Sequence, residues 1–272
     1  MAFRISGFGA GSQEKKEMVS TYQEDLKTIV PRKSLVQVRF PGKGMALTYF
    51  NDLFDIKGGD RVYVDGKLEG QLGHVVDVSY NFKIKISDYK RVIAVVDTDV
   101  RGEFHMAGSH FVTFDSSALP VDQIKLWFKA PEKEDAEVIS CADDSSFLLS
   151  DLKGMNISAA IAERGHEYYM ENRVSYLCLD RHKGFAIVEG SESYAVEFQY
   201  CNGEISHLIC DCPCACTCKH AFAAMLQLCE TLEIIEKHYS EAYECTGYLA
   251  AIAKGTLFSF AIDSKQTGSF TL

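Results

Sequence analysis

No apolar run in this chain reaches the ~18–20 residues that a membrane-spanning helix requires. The opening Met1-Ala2-Phe3-Arg4-Ile5-Ser6 lacks the apolar core of a signal peptide, so a cytoplasmic location is expected. Positive charge is in deficit. With 28 Lys and Arg against 38 Asp and Glu, the net charge is −10, which argues against a protein that coats nucleic acid by bulk electrostatics. Internal repeats and low-complexity tracts are also missing. Several catalytic signatures are started but not completed. Gly7 to Ser12 lacks the Gly-Lys-Ser/Thr of a phosphate loop, and Ser12 stands where a dinucleotide fingerprint needs its third glycine. His166-Glu167 would need a second histidine where Met170 stands, which excludes the metalloprotease helix. Asp97-x-Asp99 would need a bidentate Glu where Gly108 stands, which excludes a calcium loop. There is no Gly-x-Ser-x-Gly elbow.

What is abundant is cysteine, and it is clustered. Five of the ten stand at alternate positions, Cys210, Cys212, Cys214, Cys216 and Cys218, closed by Cys218-Lys219-His220. An extended backbone sends residues i and i+2 to the same side, so this run can aim several soft donors at one point. In a reducing compartment such a cluster reads as metal ligands or redox thiols rather than structural disulfides. A bridge between near neighbours such as Cys212 and Cys214 would be strained as well. The remaining cysteines, Cys141, Cys178, Cys201, Cys229 and Cys245, lie in apolar patterns and read as small core residues.

At 272 residues, 47% of them hydrophobic and 24% charged, the chain is expected to form two domains with ordinary cores. Residues 1–35 read as an N-terminal segment with a helix over 13–29. Residues 36–129 are dominated by short β-rich runs separated by glycine turns, the pattern of a small antiparallel barrel. Trp127 and Phe128 at its end read as packing anchors. The charged stretch 130–136 reads as a linker. In 138–240, helices are expected over 145–152 and 158–171, then strands over 174–179, 185–189 and 194–200. Asn202-Gly203 between apolar runs is a strong hairpin signal. After His220, the apolar residues Phe222, Met225, Leu226, Cys229 and Leu232 recur at helical spacing to about residue 237. Residues 241–272 are apolar enough to pack on this core. The fold class expected is therefore α+β, a barrel followed by a hairpin-loop-helix module.

Four donors from that module suit a tetrahedral zinc ion. Cys210 and Cys212 can leave one hairpin arm together, while Cys218 and His220 approach from the first helical turn, with Thr217 as the expected helix cap. Cys214 and Cys216 are available substitutes for either member of the first pair. The order Cys-x-Cys, spacer, Cys-x-His between a hairpin and an amphipathic helix resembles the SWIM zinc finger. Cys210-Asp211-Cys212-Pro213 and Cys218-Lys219-His220-Ala221 are its typical phrases, and Glu163 to Val174 resembles the helix and strand that precede the finger. The match spans about 163–228. It implies Zn2+ held by Cys210, Cys212, Cys218 and His220, and contacts with protein or DNA. Separately, Lys57 to Val64 with Gly73 to Val76 is similar to the N-terminal barrel of primosomal helicases and related bacterial barrel domains.

The function expected is a zinc-binding, non-catalytic protein that presents this finger to a partner. A protein partner is favoured by the acidic balance, with nucleic acid second through Arg173, Arg181, Lys183 and Lys219. The rival expectation is an enzyme, or an accessory subunit of a DNA-processing enzyme, with the spare cysteines in a redox role.

Overall fold

The computed structural model describes residues 2–5, 31–82, 88–131, 146–214 and 217–262. The glycine-rich opening, the expected helix over 13–29, most of the linker, Cys141 and Cys216 lie outside the described residues. The chain divides into two compact units, one of residues 7–99 with 264–269, the other of 1–6 and 100–263 with 270–272. The division falls at residue 99, upstream of the charged stretch 130–136, so the last part of the expected barrel domain belongs to the larger unit.

The smaller unit is a five-stranded antiparallel sheet of order β3-β2-β5-β4-β6, with β2 Ser34–Arg39, β3 Leu47–Asn51, β4 Arg61–Val64, β5 Gly73–Ser79 and β6 Val92–Val96. Its core is built from alternate residues of these strands, Val36, Val38, Val62, Val64, Val75 and Val92 among them. β2 reads buried-exposed in its second half because one face meets this core and the other meets water. Among the described residues the sheet does not close into the expected barrel. Among them no ladder joins β3 to β6; Phe50 bridges Arg91, just ahead of β6, and its N–H donates to Lys90 O. That bridge is parallel, whereas every ladder in the sheet is antiparallel, so it cannot propagate as one more rung of the same kind.

The larger unit is built on a nine-stranded sheet, order β1-β7-β8-β14-β10-β11-β12-β13-β9. Its members are β1 Ala2–Ile5, β7 Gly102–Ala107, β8 His110–Thr113, β9 Phe147–Leu148, β10 Val174–Asp180, β11 Lys183–Glu189, β12 Ser193–Cys201, β13 Glu204–Cys210 and β14 Tyr248–Ala253. The helices are α1 Val121–Phe128, α2 Ala159–Met170, α3 Lys219–His238, α4 Ser240–Thr246 and α5 Lys254–Leu257. β10 and β14 are buried along nearly their whole length, so the continuous apolar runs there mark strands covered on both faces. Leu177, Leu179, Val188 and Val196 pack on one side with Ala224, Met225 and Leu228 of α3. On the other side Tyr176 and Tyr248 both donate their hydroxyls to Leu119 O, just ahead of α1. Trp127 of α1 is buried and stacked on Phe260 at 4.9 Å, a packing anchor as expected.

Three local expectations are corrected. Of the helix expected over 145–152, the described residues 146–151 are not helical: Phe147–Leu148 add a short edge strand to β13, and a 3-10 turn follows over Leu152–Met155. Pairing to the hairpin outweighs helix propensity there. The segment after 241 is more than a covering tail, because β14 inserts between β8 and β10 at the centre of the sheet. Cys201 and Cys245 are exposed rather than core residues, whereas Cys178 is buried and Cys229 partly so.

His110 in β8 is fully buried, with Nε2 2.7 Å from Val174 O and Nδ1 2.9 Å from Ser109 Oγ. Burial holds its ring below the ordinary histidine value, against the opposing pull of the Val174 carbonyl and Glu230. The unfolded chain therefore takes up a proton first as pH falls through about 6.5, so unfolding becomes easier there. Urea titrations at pH 7.5 and 5.5 should show a larger loss of stability in the native chain than in His110→Gln. An unchanged pH dependence in the variant would refute this assignment.

Candidate metal centre

The β12–β13 hairpin turns through Asn202 and Gly203, both at positive φ (49° and 86°), as the Asn-Gly signal predicts. β13 then carries the chain to Cys210, which stands opposite Val196. Asp211 prolongs the ladder. Its N–H donates to Ala195 O, and its carboxylate accepts from Ala195 N–H and pairs with Lys129 at the end of α1. The backbone between the two cysteines is thus held on both sides.

The other pair comes from α3. The expected cap Thr217 is replaced in this role by Cys218, whose Sγ accepts from Ala221 N–H at 3.5 Å. A sulfur at the N-cap meets the unpaired amides and the positive end of the helix, which favours its ionised form. His220 follows in the first turn and is 4% exposed. α2 approaches this turn closely because position 165 is glycine: a Cβ there would stand 2.9 Å from Lys219 O and 2.8 Å from Phe222 Cδ1. The buried stripe of α3 runs through Ala221, Ala224, Met225, Leu228, Thr231 and Ile235. Phe222, Leu226, Cys229 and Leu232, expected on that stripe, flank it and are partly buried. α2 occupies one of those flanks.

Folding brings the donor atoms of Cys210, Cys212, Cys218 and His220 to within 4.8 Å of one another. His220 Nδ1 is 3.6 Å from Cys218 Sγ and 3.9 Å from Cys210 Sγ. Around a tetrahedral ion with metal–sulfur bonds near 2.3 Å and metal–nitrogen bonds near 2.0–2.1 Å, neighbouring donors stand roughly 3.5–3.8 Å apart. The His220–Cys218 separation falls within those edges and the His220–Cys210 separation lies about 0.1 Å beyond them. The described cysteines are all free thiols.

The electrostatics also fit a cation. Cys218 is held well below the ordinary thiol range, first by the hydrogen bond from Cys210 and then by those with His220 Nδ1 and the Ala221 N–H. Cys210 is pushed far up, because its proton is kept in the bond to Cys218 and because it is buried. Burial pushes Cys212 up to about 12. Backbone N–H groups of Cys212 and Cys214 point at Cys210 and Cys212 respectively, ready to stabilise thiolates. Cys210, Cys212, Cys218 and His220 would hold a dication here, with Cys218 the sulfur most ready to give up its proton.

Cys214 is exposed and stands outside the four-donor group. The basic residues separate into two places. Arg173 and Lys219 both lie over the Tyr168 ring, at 4.7 and 4.4 Å, beside the Cys/His cluster. Arg181 and Lys183 are exposed at the far end of β10–β11, roughly 25 Å along the strand. They form no single patch with Arg173. Sequence reasoning missed the aromatic surroundings of His220, namely Tyr194 stacked on it at 4.3 Å and Tyr168 tilted against it at 5.5 Å. Neither tyrosine has a spacing that ties it to the cysteine run. A groove of about 630 Å³ lies next to the centre, between α1 and β11–β13, with Phe185 and Ile187 in its lining. Its cations are already engaged, Lys125 with Glu197 and Lys129 with Asp211.

Compared with known proteins, the chain matches no family model, no curated protein and no solved structure. Among the described residues, no helix is long and apolar enough to cross a membrane.

Proposed function

We propose that the Cys210–Cys212–Cys218–His220 centre is a structural zinc site of SWIM type, and that the chain is a non-catalytic binding module with a protein partner. The observation that carries this reading is the convergence, within 4.8 Å of one another, of three sulfurs and one imidazole contributed by a hairpin end and a helix start. Three soft thiols with an imidazole suit zinc better than the hard cations, and four protein donors leave no position for a catalytic water. When bound, the ion would supply coordinate bonds that tie β13 to α3. The order α2, β10, hairpin, donors, α3 agrees with the SWIM pattern.

A surface for the partner is offered where Tyr168 is flanked by Arg173 and Lys219, an aromatic and cationic combination frequent at binding hot spots. The net charge of −10 favours protein over nucleic acid. Elemental analysis of the chain purified under reducing conditions should find about one zinc per chain; a metal-free chain that stays folded and refuses added zinc would overturn the reading. Fluorescence anisotropy with labelled duplex DNA should show no strong salt-sensitive binding. Tight binding that weakens steeply with salt, and weakens again in Arg173→Ala with Lys219→Ala, would transfer the partner assignment to nucleic acid.

A further inference from the structure

The imidazole of His220 has two nitrogens, and the surroundings treat them differently. Nδ1 faces Cys210 and Cys218, whereas Nε2 is buried on the other side without a hydrogen-bond partner. The lone pair of Nδ1 lies in the ring plane, so coordination requires that plane to contain the ion. A ring free to turn about its Cβ–Cγ bond would sweep the lone pair away from the metal. Tyr194 lies flat against the imidazole, its centroid 4.3 Å away and its plane 21° off parallel, while Tyr168 stands at 59° and 5.5 Å. The Tyr194 hydroxyl reaches the surface, 2.9 Å from Ser191 Oγ, so the stacking itself is made by the ring. The turn between β11 and β12 makes room for the pair by having glycine at 190. A Cβ there would fall 2.9 Å from Tyr194 Cε2 and 3.2 Å from His220 Nε2.

We propose that Tyr194 is a positioning residue of the metal centre, a platform that, with Gly190, holds the His220 ring so that Nδ1 is the ligand and Nε2 keeps the proton. The inference rests on the zinc reading above and adds to it a residue outside the Cys/His set. Partners that orient a ligand histidine typically change metal affinity 10–100-fold when removed. Tyr194 also lines the groove beside α1, so an occupant of that groove would touch the platform.

The test uses the full chain, reduced and metal-stripped, titrated with Co2+ and then with Zn2+ in competition with a chromophoric chelator. The native chain should give sulfur-to-cobalt charge transfer and the strong visible bands of a tetrahedral site. Tyr194→Ala and Gly190→Ala should weaken binding 10–100-fold and alter the visible bands. Tyr194→Phe, which keeps the ring and loses only the hydroxyl, should bind within about threefold of the native chain, a rescue that a general packing defect would not show. Nitrogen NMR of the zinc form should show a protonated Nε2 in the native chain and in Tyr194→Phe. If Tyr194→Ala binds cobalt with native affinity and spectrum, the platform is refuted while the metal centre stands. If the native chain binds no cobalt or zinc, both the platform and the zinc reading fall. Tyr194→Leu, which keeps an apolar side chain there without a flat ring, provides a folded comparison and should resemble Tyr194→Ala; native binding by it would equally overturn the proposal.

Discussion

Replacing Cys218 by Ser together with His220 by Ala should abolish stoichiometric zinc binding and loosen the junction of β13 with α3. Both residues lie in or beside the first turn of α3, and both are almost wholly buried. Their loss leaves Cys210 and Cys212 as a two-donor site, too few to hold the ion against solvent. In isolated finger peptides zinc binding is worth about 10–16 kcal/mol of folding free energy. Here the effect on global stability should be smaller, because the large sheet and α3 share a core of their own. The expected pattern is therefore uneven. Amides of β13 and the start of α3 should lose hydrogen-exchange protection, whereas those of β10 and β14 should keep most of theirs. Chelator treatment of the native chain should reproduce the pattern, and zinc should reverse it. Native zinc content together with unchanged protection in the double variant would sink the ligand assignment.

A second large effect is expected away from the Cys/His cluster, at Gly184. In the β11–β12 ladder Gly184 stands opposite Phe198, and the phenyl ring lies across it. A Cβ at 184 would fall 2.0–2.4 Å from three ring carbons. Phe198 is buried in the core shared with α3, so its ring has no free space to retreat into. Overpacking of this kind costs about 1–3 kcal/mol, and the depth of the overlap places Gly184→Ala near the upper end. That corresponds to a fall in Tm of about 6–12 °C for a unit of this size. Combining it with Phe198→Leu should restore part of the loss, since a smaller side chain vacates the overlap. Additive losses in the double variant, or a Tm for Gly184→Ala within a degree of native, would show that the ring moves freely and that the glycine is not required.

Legibility followed the range of the interactions involved. Alternation, turn residues and helical spacing act over a few residues, and they located the strands from 174 to 200, the Asn202-Gly203 turn, α2 and α3 with bounds close to those observed. The four donors were legible for the same reason, since i, i+2 spacing on an extended arm and on a helix start is a local matter. Closure of the small sheet was not, because it depends on whether β3 and β6 pair in a register that can propagate, and among the described residues the pairing near them is the isolated bridge Phe50–Arg91, just ahead of β6. The strand at Phe147–Leu148 was also hidden, because its conformation comes from pairing with Glu204 and Ile205 across a long stretch of chain.

The sequence by itself determined that soft donors would converge where a hairpin runs into a helix, since their spacing sets the directions of Cys210, Cys212, Cys218 and His220. Tertiary structure alone decided the rest of the site. It left Cys214 outside and made Cys218 the cap in place of Thr217. It separated Arg173 from Arg181 by the length of β10 and turned Nδ1 rather than Nε2 of His220 toward the sulfurs under the ring of Tyr194. The physical reason is that each of these outcomes depends on strand register and on contacts between side chains distant in sequence. Neither is encoded in a short window of residues.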